Sequence, residues 1–252
     1  MIINLFHQHQ NYKVDLSKGL DISIPLRSDV AGPKCFYAPD FKVEPVVAGD
    51  FIGSVEKGSP VNFKNVFVNP HGNGTHTECV GHISSEPISI NNALTDFHFI
   101  ARLVTVALHT KADGDKIITM ETLKEVLTPD VNTVVIRTLP NDDTKLTKDY
   151  SGTNPPYFSQ EAILLLNQQG IKHLLTDLPS IDREEDGGAL AGHKAFWNYP
   201  DLPAKDKTIT EMVYVENTIP DGLYFCNIQI ISIESDASPS KIVLYPLVPI
   251  QL

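Results

Sequence analysis

Apolar positions along the chain change their period from segment to segment, and each change marks an element. Residues 102–108, RLVTVAL, and 131–138, VNTVVIRT, are short runs rich in β-branched residues, the pattern of strands buried on both faces. Residues 159–169, SQEAILLLNQQ, carry a helix: Ser159 can cap it, Ile163 to Leu166 give an apolar face, and Gly170 ends it. IKHLLTDLP (171–179) then returns as another buried strand. Two strands around a helix predict a βαβ unit and a partly parallel sheet. Thr119 caps a shorter helix in TMETLKEVL (119–127). KVDLSKGLDISIPL (13–26) reads as two short strands around a Lys18-Gly19 turn, and VNFKNVFV (61–68) alternates like a strand. At the end, GLYFCNIQIISI (222–233) and KIVLYPLVPI (241–250) form two β runs joined by ESDASPS. Residues 27–60 hold Pro33, Pro39, Pro45 and Pro60 and predict a long irregular excursion with one strand, Phe41–Val47. Long ordered loops of this kind often cover sites. The sum is one α/β domain over residues 1–252, with a mixed sheet flanked by helices and no convincing cut point.

Composition narrows the function. A net charge of −11 argues against a nucleic-acid partner, whose phosphates require Lys and Arg. No apolar run is long enough to span a bilayer, and the opening MIINLFHQHQNYK lacks the layout of a secretory signal, so the expectation is a cytoplasmic protein. Cys35, Cys79 and Cys226 are scattered and suggest neither a disulfide framework nor a metal knuckle. There is no GxSxG nucleophile motif.

The chemistry concentrates in NPHGNGTHTECVGH, residues 69–82, which holds three of the nine histidines. Spacing places His76 and Glu78 on one face of an extended segment, with His82 on the same face if extension continues. Imidazole with carboxylate suits Zn²⁺, Mn²⁺ or Fe²⁺. His71 is out of phase and needs a bulge to join them. Cys79 alternates away and reads as a small packed side chain. In TDLPSID (176–182), Asp177 and Asp182 read as turn residues capping local backbone, and Glu184, Glu185 and Asp186 as a solvated acidic loop. Trp197 could line a pocket or pack in a core or interface. His7, His9, His98, His109 and His173 read as structural or surface residues.

GTHTECVGH resembles the signature H-x-G-T-H-x-D-x-P-x-H of the cyclase-like metal-dependent hydrolases, which include bacterial kynurenine formamidases and isatin hydrolases. Gly74, Thr75, His76 and His82 match in place. The resemblance continues through VDLSKGLDISIPL, VVIRT, PYFSQEAILLLNQQGIKHLLTDLPSID, GALAGHKAFW, TITEMVYVEN and SDASPSKIVLYPL. It implies a swivelling β/β/α-like or barrel-like sheet, a divalent metal (zinc, with manganese as the alternative), and a homodimer or larger assembly. It implies metal ligation by His71, His76, Glu78, His193 and Glu211, with Glu216 competing for the last role, and catalysis by His82. The implied activity is hydrolysis of an N-formyl or cyclic small-molecule amide, arylformamidase-like. An isatin-type lactam or cyclic ester is one alternative, and a non-catalytic metal or ligand binder another. In the implied mechanism the metal lowers the pKa of water and His82 carries the proton. The chain departs from the signature in three ways: Asn73 is inserted before Gly74, Glu78 replaces Asp, and Val80 replaces Pro.

Overall fold

Seven strands close on themselves in the computed structural model, which describes residues 1–250; the last two positions of the expected 1–252 domain lie outside the described residues. They are β1 (His76–Cys79), β2 (His98–Ala107), β3 (Thr133–Leu139), β4 (His173–Thr176), β5 (Thr208–Glu211), β6 (Gly222–Ile230) and β7 (Ala237–Pro246), and the short helices α1 (Ile90–Ala93) and α2 (Met120–Lys124) precede two longer ones. The order around the ring is β6-β2-β3-β4-β5-β1-β7 and back to β6. β2 to β5 run parallel, and the other pairings are antiparallel. This is the expected α/β architecture with a mixed sheet, closed into a barrel.

Alternation along the parallel strands builds two cores. Leu103, Val135 and Leu175 point inward with Cys226, Ile228 and Leu244. Val104, Val134, Ile136, Leu174 and Ile209 point outward, under Ile163 and Leu166 of helix α3 (Gln160–Gln168) and Phe196 and Trp197 of helix α4 (Ala191–Trp197). Both faces of β3 are therefore buried, which is why VVI reads as a continuous apolar run. β3, α3 and β4 form the predicted βαβ unit. The α3 cap is also as predicted: Ser159 Oγ accepts from Ala162 N, and Gly170 follows with φ 76°. Trp197 belongs to the core, with no exposed surface, and donates from Nε1 to Lys207 O.

Several predicted elements differ. Residues 13–26 do place strand segments on either side of Lys18-Gly19, Gln10–Asp15 and Leu20–Asp21, but the two do not pair with each other. Gln10–Asp15 pairs instead with Ile2–His7 in a hairpin, and only Leu20–Asp21 pairs with β7. The hairpin turn is Gln8-His9, both with positive φ (49° and 61°), a geometry that sequences usually announce with Asn-Gly or Asp-Gly. The excursion holds Lys42–Pro45 paired with Lys64–Phe67, an exposed ribbon. The connection between the last two strands is shorter than ESDASPS, because β1 recruits Ala237, Ser238 and Pro239 into β7. Among the described residues no helix is long and apolar enough to cross a membrane.

His173 opens β4 and is buried, with Nδ1 2.9 Å from Thr208 Oγ1. Burial pulls its pKa down to about 4. The unfolded chain therefore takes up this proton first as pH falls, and stability is lost between about pH 6.5 and 4, by up to about 3 kcal/mol. Urea unfolding across this range is expected to show that loss in wild type and a shallower pH slope in His173→Asn.

Candidate metal centre

The antiparallel register of β1 and β5 places His76 opposite Glu211 and Glu78 opposite Ile209. His76, Glu78 and Glu211 share the outward face with Ile209, while Thr77 and Thr210 bond each other on the inward face, Oγ1 to Oγ1 at 2.8 Å. Cys79 packs inward in the barrel core. The outward carboxylates and imidazole would be in water if nothing covered them. Helix α4 covers them and brings His193. All four are buried, at 0–3 % exposure.

Asp182 holds α4 in place. It accepts from Gly192 N (2.6 Å) and His193 N (3.0 Å), serving as the helix's N-terminal cap from ten residues away, since Leu190 offers no side-chain cap. It also takes His193 Nδ1 at 2.7 Å, leaving Nε2 directed at Glu78 Oε1, 3.1 Å away. A Cβ at Gly192 would stand 2.8 Å from Asp182 Oδ1, so this approach needs glycine. Asp182 is thus no local turn residue, contrary to the sequence expectation. Nor is Asp177: it is buried and accepts from Thr138 N and Oγ1 and from Lys145 Nζ. The acidic run is only partly solvated, because Glu184 accepts from Gly152 N and Asn154 N, and Asp186 from Gly188 N and Leu190 N.

His71 reaches the cluster through a turn tied by asparagines, in place of the bulge expected from its spacing. Asn69 Oδ1 accepts from His71 N and Gly72 N, and the inserted Asn73 returns Oδ1 to Asn69 N and donates Nδ2 to Pro39 O. Gly74 then takes φ 64° and hands the chain to β1. His71 Nδ1 lies 3.0 Å from Glu78 Oε2. His82 departs from the extended path predicted for it. Residues Val80–His82 form a 3-10 turn, which carries Nε2 back to 3.9 Å from Glu78 Oε2. Its side chain is the most open of these imidazoles, at 31 %. Asp236, unassigned by the sequence reading although it sits in the SDASPS segment, bridges the two: Oδ2 is 2.7 Å from His71 Nε2 and 3.5 Å from His82 Nδ1. Glu216, the competitor of Glu211, is exposed, and its carbonyl accepts from Arg137.

The donor set fits a divalent cation. His71, His76 and Glu78 offer ligand atoms within 4.8 Å of one another, as do Glu78, His82 and His193, and His71, His82 and Asp236. His76 Nδ1 bonds Gly74 O at 3.0 Å, whereas Nε2 is buried without a hydrogen-bond partner among the described residues, 3.4 Å from Glu211 Oε2. A buried nitrogen lone pair with no donor is costly unless something electropositive meets it. Electrostatics agree. Burial alone would raise Glu78, but His82, His193 and His71 hold it well below the usual carboxylate range. Burial and the charge of Glu78 push Glu211 up. Burial opposes charge on His71 and His193, yet their hydrogen bonds to Asp236 and Glu78, and to Asp182 and Glu78, lift both to about 10.

The sequence matches a family model described as "Putative cyclase" over residues 14–183. The chain belongs to this family. A search of curated proteins by sequence returns no match. Among solved structures, a "predicted metal-dependent hydrolase from Bacillus stearothermophilus" is 17% identical with a TM-score of 0.63, covering 90% of this chain and 98% of that one. Isatin hydrolase A from Ralstonia solanacearum is 15% identical, TM-score 0.62, covering 92% of each chain. An isatin hydrolase bound to the product analogue thioisatinate is 14% identical, TM-score 0.62, covering 92% and 93%. At such identities the likeness establishes the fold, that of the cyclase-family metal-dependent hydrolases.

The carboxylates around His71 and His193 favour protons on both near neutral pH, and an imidazole that ligates a cation must be neutral, so binding of a cation through these residues would displace those protons. Calorimetric titration of Zn²⁺ in buffers of different ionisation enthalpy is expected to show net proton release at pH 7 and weaker binding as pH falls. Binding without proton release would contradict this electrostatic picture.

Proposed function

We propose that this cyclase-family chain is a metal-dependent hydrolase that opens the C–N bond of a small amide. The observation that carries the reading is the unsatisfied, fully buried His76 Nε2, facing Glu211 beside a cavity of about 310 Å³ that Glu78, His193 and His71 also line. His71, His76, Glu78, His193 and Glu211 would hold the ion. Nitrogen and carboxylate donors suit zinc, with manganese as the alternative. A divalent ion held there supplies Lewis acidity at the carbonyl and makes water a nucleophile near neutral pH.

The protein's own groups do the rest. His82, at the rim of the cavity, takes a proton from the attacking water and delivers it to the leaving nitrogen as the C–N bond breaks, giving a carboxylate and an amine. Asp236, within 3.5 Å of His82 Nδ1, favours a proton on that nitrogen and leaves Nε2 to exchange one. Phe36, Ala38 and Leu190 line the cavity's apolar side, which fits a small aryl group. N-formyl arylamides, of which N-formylkynurenine is one, and ring lactams meet these demands. The two isatin hydrolases that share the fold support the lactam reading.

Purified without chelator, the protein is expected to carry zinc or manganese by inductively coupled plasma mass spectrometry, and His76→Ala to lose it. Loaded enzyme is expected to hydrolyse N-formyl arylamides or isatin-type lactams, with His82→Ala keeping its metal and losing about 10²–10⁴-fold in kcat. Metal binding without turnover of either class would instead establish a binding protein. Turnover unaffected by His82→Ala would remove the proton-transfer role.

A further inference from the structure

A second cavity, of about 360 Å³, opens where the parallel strands β2, β3 and β4 end. Leu108 follows β2, Thr138 and Pro140 lie at the end of β3, and Asp177 and Leu178 follow β4. The carboxyl ends of parallel strands are where α/β folds commonly bind ligands. Most of the polar floor is already satisfied. Asp177 is neutralised by Lys145, whose ammonium also donates to Thr138 O and Asn141 Oδ1.

Two features are not committed to a protein partner. Tyr150 is 4 % exposed and lines the cavity, and its hydroxyl has no protein hydrogen-bond partner among the described residues, its oxygen being open to the cavity rather than sealed in the core. Burial pushes this phenol up, so it is a neutral donor. Lys148 stands over the same ring, its Nζ 5.0 Å from the centroid, and neither it nor Lys116, also on the wall, forms an ion pair among the described residues. Three lysines thus face two aspartates, and the one exposed aspartate, Asp142, is engaged by Thr144 N and Oγ1. Leu108, Pro140, Pro155 and Pro156 supply apolar wall.

We propose that this cavity binds a small organic carboxylate. Its oxygens accept from Tyr150 Oη and Lys148 Nζ, and its apolar body lies against Leu108 and the prolines. One neutral donor and one nearby cation suit a monoanion, whereas a phosphate dianion would bring a second negative charge towards the same Asp142 and Asp177. The site is separate from the imidazole cluster but linked to it: Tyr150 packs with Cys35 and Met212, Cys35 Sγ lies 3.4 Å from His71 O, and Met212 follows Glu211. Occupancy would therefore bear on the neighbours of two candidate metal ligands. This inference does not depend on which amide, if any, the chain hydrolyses.

Isothermal titration with sodium benzoate, and in parallel with inorganic phosphate, tests it on wild type, Tyr150→Phe, Lys148→Ala and Glu78→Gln. The expected result is saturable benzoate binding in wild type, weakened roughly tenfold or more by Tyr150→Phe and by Lys148→Ala and retained in Glu78→Gln, with phosphate weaker than benzoate. Lys148 is exposed, so its variant reports even if Tyr150→Phe misfolds. Absence of saturable binding overturns the site. Binding lost in Glu78→Gln but indifferent to Lys148→Ala places benzoate in the metal cavity and overturns it equally. Phosphate binding tighter than benzoate overturns the carboxylate assignment.

Discussion

The pairing of His76 with Glu211 across β1 and β5 is the constraint on which the rest depends. Side chains alternate with a period of two, so a slip of one residue would send His76 and Glu78 into the barrel and bring Thr77 and Cys79 out. Apolar partners on both sides prevent this. Cys79 is committed to the inner core and Ile209 to the outer one, and both are fully buried. The register of two short polar strands is therefore set by one apolar residue in each. Every other member of the site is placed relative to that pair: α4 over it, the 69–75 turn beside it, and the start of β7 along its edge.

Such a cluster is expensive to bury. The fold meets the cost by giving nearly every ionisable atom a specific partner: Asp182 for His193 Nδ1, Asp236 for His71 Nε2, Ile181 N for Glu211 Oε1 at 3.0 Å. Strain appears in the same place. Met212, next to Glu211, has φ 53°, held by its N–H to Leu178 O and by Thr75 Oγ1 donating to its carbonyl at 2.6 Å. Thr75 in turn accepts from Ile24 N. A non-glycine residue in this conformation persists only where its surroundings over-determine it, and here both of its peptide groups are engaged.

The sequence displayed much of this, and the parts it concealed share a cause. The parallel strands and α3 were legible because burial on two faces, or on one stripe, leaves a period in the residues. His76 and Glu78 were legible for the same reason, being two apart on a strand. His82 and His71 were visible as chemistry but not as geometry, since a 3-10 turn and an asparagine-tied loop leave no period to read. Asp182 looked like a turn residue because its partners lie ten and eleven positions downstream. Asp236 had no local signal at all. It enters the site only because β1 draws Ala237 into a ladder. The Gln8-His9 hairpin was hidden by turn residues that rarely take positive φ.

Four of the candidate site's groups, His71, His76, Glu78 and His82, come from a single stretch of twelve residues. The remainder arrive from positions more than a hundred residues away. The stretch therefore gathers these groups before it is part of a barrel, and it is synthesised ahead of the segments that bring His193 and Glu211. For the ion proposed above, a nascent chain would offer these four groups as a loose first grip, and folding would add the other two. An unfolded state that also binds would lower the ion's stabilisation of the native state below what native affinity alone gives. In exchange, such an ion could be captured before α4 closes over its place.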